Sequence, residues 1–143
     1  EEGREPVEAP STGGLLSGSG MVLVAEDELH VRAFLRITLE RAGYTVLAAS
    51  DGEQALQLAA SAGPFDLLVT DVVMPRLGGL ALARRLMEDQ RGLRVLLVSG
   101  YPGDIALLED MPAGVRLLAK PFGPDALTAA ARELLAGPEG GGR

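Results

Sequence analysis

Asp66-Leu67-Leu68-Val69-Thr70 is a short apolar run that reads as a strand and delivers an acid, Asp71, at its end. After it, Met74-Pro75-Arg76-Leu77-Gly78-Gly79 is loop chemistry, and a helix is expected from about Leu80 to Gln90. Similar units recur on both sides. Met21 to Ala25 (MVLVA) is almost continuously apolar, as expected of a strand covered on both faces. Thr45 to Ala49 (TVLAA), Arg94 to Gly100 (RVLLVSG) and Val115 to Lys120 (VRLLAK) supply three more strands.

Between the strands the period changes. Val31, Phe34, Leu35, Thr38 and Leu39 fall on one face of a helix over Leu29 to Ala42, and Gly43 stands where a left-handed cap is wanted. Asp51 is placed to cap a helix over Gly52 to Ala62, with Ala55, Leu56 and Ala59 facing inward. The last helix starts near Pro124, which suits a first helical turn, and Leu127, Ala131, Leu134 and Leu135 form its apolar stripe. YPGDIALLEDMPAG, residues 101–114, is too broken by Pro and Gly to be assigned a helix. Five apolar strands separated by helical segments imply an α/β fold, a doubly wound parallel sheet with right-handed crossovers. Ligands of such sheets bind beyond the carboxyl ends of the strands, at the switch point of strand order.

The rest of the chain bounds the possibilities. Residues 1–20 are rich in Glu, Pro, Gly and Ser, and residues 137–143 read GPEGGGR. Neither end has the apolar content to fold alone, so a flexible linker, one domain over 21–136 and a disordered C-terminal tail are expected. The 143 residues carry a formal net charge of −7 and no cysteine. That charge disfavours direct binding to nucleic acid or to an anionic membrane, and the lack of cysteine excludes disulfides and thiolate metal sites. No apolar run reaches the roughly 20 residues of a bilayer span, and no basic-then-apolar leader opens the chain. A soluble, cytoplasmic domain is expected. Neither GxGxxG nor a P-loop follows the first strand, which disfavours a nucleotide site.

The residues at the strand ends form an ordered set. Glu26, Asp27 and Glu28 follow the first strand, Asp71 the third, Ser99 closes the fourth, and Lys120-Pro121 closes the fifth. A parallel sheet brings them to one edge, where crowded carboxylates repel. A hard divalent cation would relieve that repulsion, and magnesium suits two or three carboxylates plus water. Such an ion would let Asp71 act as a nucleophile toward a phosphoryl group, with Lys120 adding positive charge and Ser99 a hydrogen bond.

VLVAEDE, LLVTDVVMP, VLLVSGY and AKPF, in this order and spacing, resemble the motifs of the response-regulator receiver family over residues 21–136. The resemblance implies a flavodoxin-like (βα)5 fold with strand order 2-1-3-4-5. It implies Asp71 as phosphoacceptor. The metal, Mg2+ or alternatively Mn2+, would be held by Asp27, Asp71 and the backbone carbonyl of Val73, with Glu26 in the acidic pocket, directly or through water. Lys120 would contact the phosphoryl group, Ser99 would be the switch hydroxyl, and Lys120–Pro121 would be cis. The implied donor is a phosphohistidine on a histidine kinase or histidine phosphotransfer domain. A downstream protein would read the face of the fourth helix and fifth strand.

The linker composition and the Ser-Gly-Tyr segment further resemble the terminal receiver of a hybrid histidine kinase. A free-standing single-domain regulator is the alternative. A magnesium-dependent aspartyl-phosphate phosphatase is disfavoured, because Val73 stands where such enzymes carry a second acid. Leu117 replaces the switching aromatic usual three residues before the Lys-Pro pair, so Tyr101 is the candidate substitute. Taken singly, Asp71 would read as a turn residue and Lys120 as a surface lysine; their joint occurrence with Asp27 and Ser99 overrides that. Glu28 reads as a helix cap, and His30, the sole histidine, as an exposed helical residue without a chemical role.

Overall fold

The computed structural model describes residues 20–136, so the expected linker and tail lie outside the described residues, Gly20 apart. The elements are β1 Met21–Ala25, α1 Leu29–Arg41, β2 Thr45–Ala49, α2 Gly52–Ala62 and β3 Leu67–Asp71. They continue with α3 Gly79–Asp89, β4 Arg94–Ser99, a 3-10 segment Pro102–Asp110, β5 Val115–Ala119 and α4 Pro124–Ala136. The strands pair in parallel in the order 2-1-3-4-5. The expected doubly wound flavodoxin-like sheet is borne out.

Side chains of successive strand residues point to opposite faces, and the core divides accordingly. Val22, Val24, Val69 and Val98 pack with Leu35 and Leu39 of α1 and Leu127 and Leu134 of α4. Leu23, Ala25, Leu68 and Leu97 pack on the other face with Ala55 of α2 and Leu82 and Leu86 of α3. Both faces are covered, which is why the strands are apolar without alternation. Each fully buried leucine, such as Leu23 or Leu97, contributes roughly 2 kcal/mol of apolar burial; both are 0% exposed.

Local signals set the helix ends. Glu28 caps α1 by accepting a hydrogen bond from the Val31 N–H at 2.8 Å, and Asp51 caps α2 by accepting from Gln54 N–H at 2.8 Å. Gly43 after α1 has φ of +107°, the left-handed geometry anticipated for it.

Two departures from the sequence-based expectation bear on the site. The third and fourth strands run Leu67–Asp71 and Arg94–Ser99 rather than Asp66 to Thr70 and Arg94 to Gly100. Asp71 is thus held in the ladder opposite Val98, and the Asp66 carboxylate instead accepts the Met21 N–H at 2.8 Å. The stretch left without a helix contains a nine-residue 3-10 helix, Pro102–Asp110. Pro102 presets its first turn, and none of its residues is buried, so no apolar face drives it into a longer α-helix.

Candidate functional site

The strand ladder runs one residue past the ends of three strands and so fixes the residues that follow. Glu26 N–H donates to the Ala49 carbonyl at 3.1 Å, Val72 N–H to Val98 at 3.0 Å, and Lys120 N–H to Ser99 at 2.7 Å. Glu26, Asp27, Asp71 and Lys120 therefore stand at one edge of the sheet, although 94 positions of sequence separate the first from the last.

The three acids each place a carboxylate oxygen within 4.8 Å of the others. Glu26 is buried at 1% exposure, Asp71 is half-buried and Asp27 is exposed, so the cluster opens to solvent on one side. The Lys120 ammonium lies 3.4 Å from Asp71 Oδ2 and 4.0 Å from Glu26 Oε1. Glu28 N–H donates to Glu26 Oε2 at 3.0 Å, but Glu26 Oε1 is buried with no hydrogen-bond partner among the described residues. An unpartnered buried carboxylate oxygen beside two more carboxylates is a donor set suited to a hard divalent cation.

The electrostatics agree. Burial pushes the Glu26 carboxyl up from 4.5 to about 7, with the Asp71 and Asp27 charges adding to the shift and Glu28 N–H and Lys120 opposing it. The folded state thus binds Glu26's proton more tightly than the unfolded chain does. In the metal-free protein, the contribution of Glu26 to stability is full below about pH 4.5 and falls as pH rises toward 7, where the carboxylate ionises. We expect a loss of about 2 kcal/mol across that window, less than the full linkage value because the cluster is open to water on one side. Glu26→Gln should flatten the stability curve there. Denaturant titrations in chelator at several pH values measure it, and an unchanged slope in the variant would contradict the assignment.

Neighbouring residues that the motif pattern does not single out hold this edge in place. Arg32 on α1 donates from Nη1 to the Glu26 carbonyl at 2.9 Å and lies 3.5 Å from that of Asp27. Thr70, fully buried, donates its hydroxyl to the Asp71 carbonyl at 3.0 Å. Gly79 at the start of α3 lies against the same carbonyl, and a Cβ there would stand 2.0 Å from the Asp71 oxygen, so only glycine fits. Arg76 has φ of +66° and pairs with Asp51 at 3.1 Å, tying the loop after Asp71 to the start of α2. The signal for Arg32 was its place one turn into α1 after the acids; for Thr70 and Gly79 the signal was adjacency to strand and helix ends.

Not every expected residue joins the cluster. Val73 N–H donates to Asp71 Oδ1 at 3.4 Å, while its side chain is exposed. The Ser99 hydroxyl is buried at the same edge but is bonded to the 3-10 segment rather than to Asp71 or Lys120. Tyr101 is 68% exposed, and His30 is exposed. Lys120–Pro121 is cis, as the resemblance implied; Gly63–Pro64 is a second cis bond that nothing in the sequence had flagged. No helix among the described residues is long and apolar enough to cross a membrane.

A parallel five-stranded sheet with acids after its first strand, an acid closing its third and Lys-cis-Pro after its fifth defines a two-component signalling receiver. The chain belongs to the response regulator receiver domain family, whose model matches residues 22–132. It is 38% identical over 123 residues to the sensor kinase CckA of Brucella abortus, covering 84% of this chain and 13% of that protein. It is 39% identical over 103 residues to the response regulator receiver protein CpdR of the same organism, covering 71% of this chain and 84% of CpdR. Among solved structures, the response regulator TrrA of Thermotoga maritima, crystallised with Mg2+ and beryllofluoride, aligns with a TM-score of 0.72 and 30% identity. That alignment covers 80% of this chain and 98% of TrrA.

Proposed function

We propose that Asp71 accepts a phosphoryl group from a phosphohistidine of a histidine kinase or phosphotransfer domain, in a magnesium-dependent step. The observation that carries this is the convergence of three carboxylates within 4.8 Å beside an ammonium 3.4 Å from Asp71. Asp27, Asp71 and the Val73 carbonyl would hold the ion, with Glu26 completing the acidic pocket directly or through water. Bound there, magnesium neutralises carboxylate charge and orients a phosphoryl oxygen.

The chain's own groups do the rest. An Asp71 carboxylate oxygen forms the new P–O bond as the P–N bond to the donor imidazole breaks, and the leaving imidazole keeps its electron pair and takes a proton. Lys120 balances charge on the transferred group, and Ser99 donates to one of its oxygens once turned toward it. The added charge then reorganises the face of the 3-10 segment and β5, which a protein partner reads. Tyr101, exposed on that face, is the candidate relay in place of the aromatic that Leu117 lacks.

Likeness to CckA and the composition of residues 1–20 favour a terminal receiver of a hybrid histidine kinase. Likeness to the receiver protein CpdR supports the second reading, a free-standing regulator. The length of the encoded polypeptide separates the two. The phosphoacceptor reading is tested by incubating the domain with acetyl phosphate and following intact mass. One phosphoryl group should be gained with magnesium and none with chelator; equal labelling in both would remove the metal from the reading.

A further inference from the structure

Ser99 closes β4 at the site's edge, yet its hydroxyl is engaged elsewhere. It is 2% exposed, and Oγ accepts a hydrogen bond from Tyr101 N–H at 3.0 Å. Its single proton has two acceptors close by: the Asp104 carboxylate, in contact through Oδ2, and the Tyr101 carbonyl at 3.1 Å. A carboxylate wins such a competition, since charge-assisted bonds are roughly twice as strong as neutral ones. Asp104 sits in the first turn of the 3-10 segment, which has no buried residue and exposes Tyr101 at its cap and Ile105 within it. Its Leu108 packs only part-buried against the core, so the segment has a low local opening free energy, and the Ser99–Asp104 contact adds a second tie to the sheet.

We propose that Asp104 is a positioning residue that holds the Ser99 hydroxyl off Asp71 until a phosphoryl group on Asp71 competes for the same proton. This deepens the phosphoacceptor reading and rests on it. Two anions contend for one hydroxyl, and they also repel each other. When Ser99 turns to the phosphoryl oxygens, Asp104 loses its partner, the segment is released, and the surface carrying Tyr101 and Ile105 is rearranged. The latch lowers the apparent affinity of the site for a phosphoryl group by the fraction of molecules with Ser99 free. Nothing in the motif pattern marks Asp104; its role follows from where the 3-10 turn aims its carboxylate.

The test is the affinity of the magnesium-loaded domain for beryllofluoride, measured by calorimetry in a double-mutant cycle. Asp104→Ala should tighten binding on the order of tenfold, as release of one charge-assisted hydrogen bond allows. In the Ser99→Ala background the same substitution should tighten binding far less, leaving only the relief of charge repulsion. Asp104→Asn, which keeps the shape and a weaker acceptor, should tighten binding by a smaller factor and serves if the alanine variant does not fold. An unchanged or weaker affinity in Asp104→Ala would overturn the latch. So would equal tightening with and without Ser99, which would mean that Asp104 acts only as a nearby charge. If the unaltered domain bound no beryllofluoride, the phosphoacceptor reading would fall and the latch with it; binding without a Ser99-dependent effect sinks the latch alone.

Discussion

Asp71→Asn is expected to abolish phosphoryl labelling and, at the same time, to stabilise the metal-free domain. The first effect follows because an amide oxygen is not an anionic nucleophile and forms no acyl phosphate. Intact mass after acetyl phosphate and magnesium should show the full gain in the parent and only background in the variant. The second effect follows from charge. Asp71 faces two carboxylates, Glu26 and Asp27, and one ammonium, Lys120. Removing its charge relieves two repulsions at the cost of one attraction, and it lowers the Glu26 pKa by removing one of the charges that raise it. We expect a net gain of about 1 kcal/mol near neutral pH, a rise of ~4 °C in melting temperature for a domain of this size. Stoichiometric labelling of the variant would move the acceptor elsewhere. A lower melting temperature in chelator would contradict the crowded-acid account.

Lys120→Met carries the next largest effect. The methionine keeps an unbranched apolar stem while deleting the ammonium that lies 3.4 Å from Asp71 and 4.0 Å from Glu26. An ammonium held beside the acceptor favours the transition state as charge moves onto the phosphoryl oxygens, and loss of one such group typically costs on the order of 100-fold in rate. The initial rate of acetyl phosphate labelling should fall by about that factor. Lys120 also holds the Glu26 carboxyl down, so its loss should move the pH-dependent fall in metal-free stability further toward the alkaline side. A labelling rate equal to the parent's, in a folded variant, would make Lys120 a bystander.

The sheet was legible because burial on both faces leaves no room for alternation, and runs such as MVLVA and DLLVT have few other uses. The acid cluster was legible for a related reason. In a parallel sheet every strand ends at the same edge, so the residue after each strand is placed by topology alone. Glu26, Asp27, Asp71 and Lys120 needed no side-chain information to be gathered.

What stayed hidden depends on rotamers and on small local choices. Ser99 was correctly put at the edge, but which way its hydroxyl turns is decided by Asp104, and Asp104 was unplaceable while its segment had no assigned structure. Pro102 and Gly103 argued against a helix, and the 3-10 turn that forms satisfies both residues without fully burying any side chain. The orphaned Glu26 Oε1 and the Arg32 support of the Glu26 carbonyl are likewise tertiary outcomes, set by how α1 lies on the sheet.

The most direct measurement is a crystal structure of the domain grown with magnesium and beryllofluoride. The expected result is a beryllofluoride group joined to the Asp71 carboxylate, a metal ion touching Asp27, Asp71 and the Val73 carbonyl, and the Lys120 ammonium on a fluorine. Density at that edge showing only water, with Asp71 paired to Lys120 alone, would contradict the claim that these strand ends build a phosphoryl acceptor.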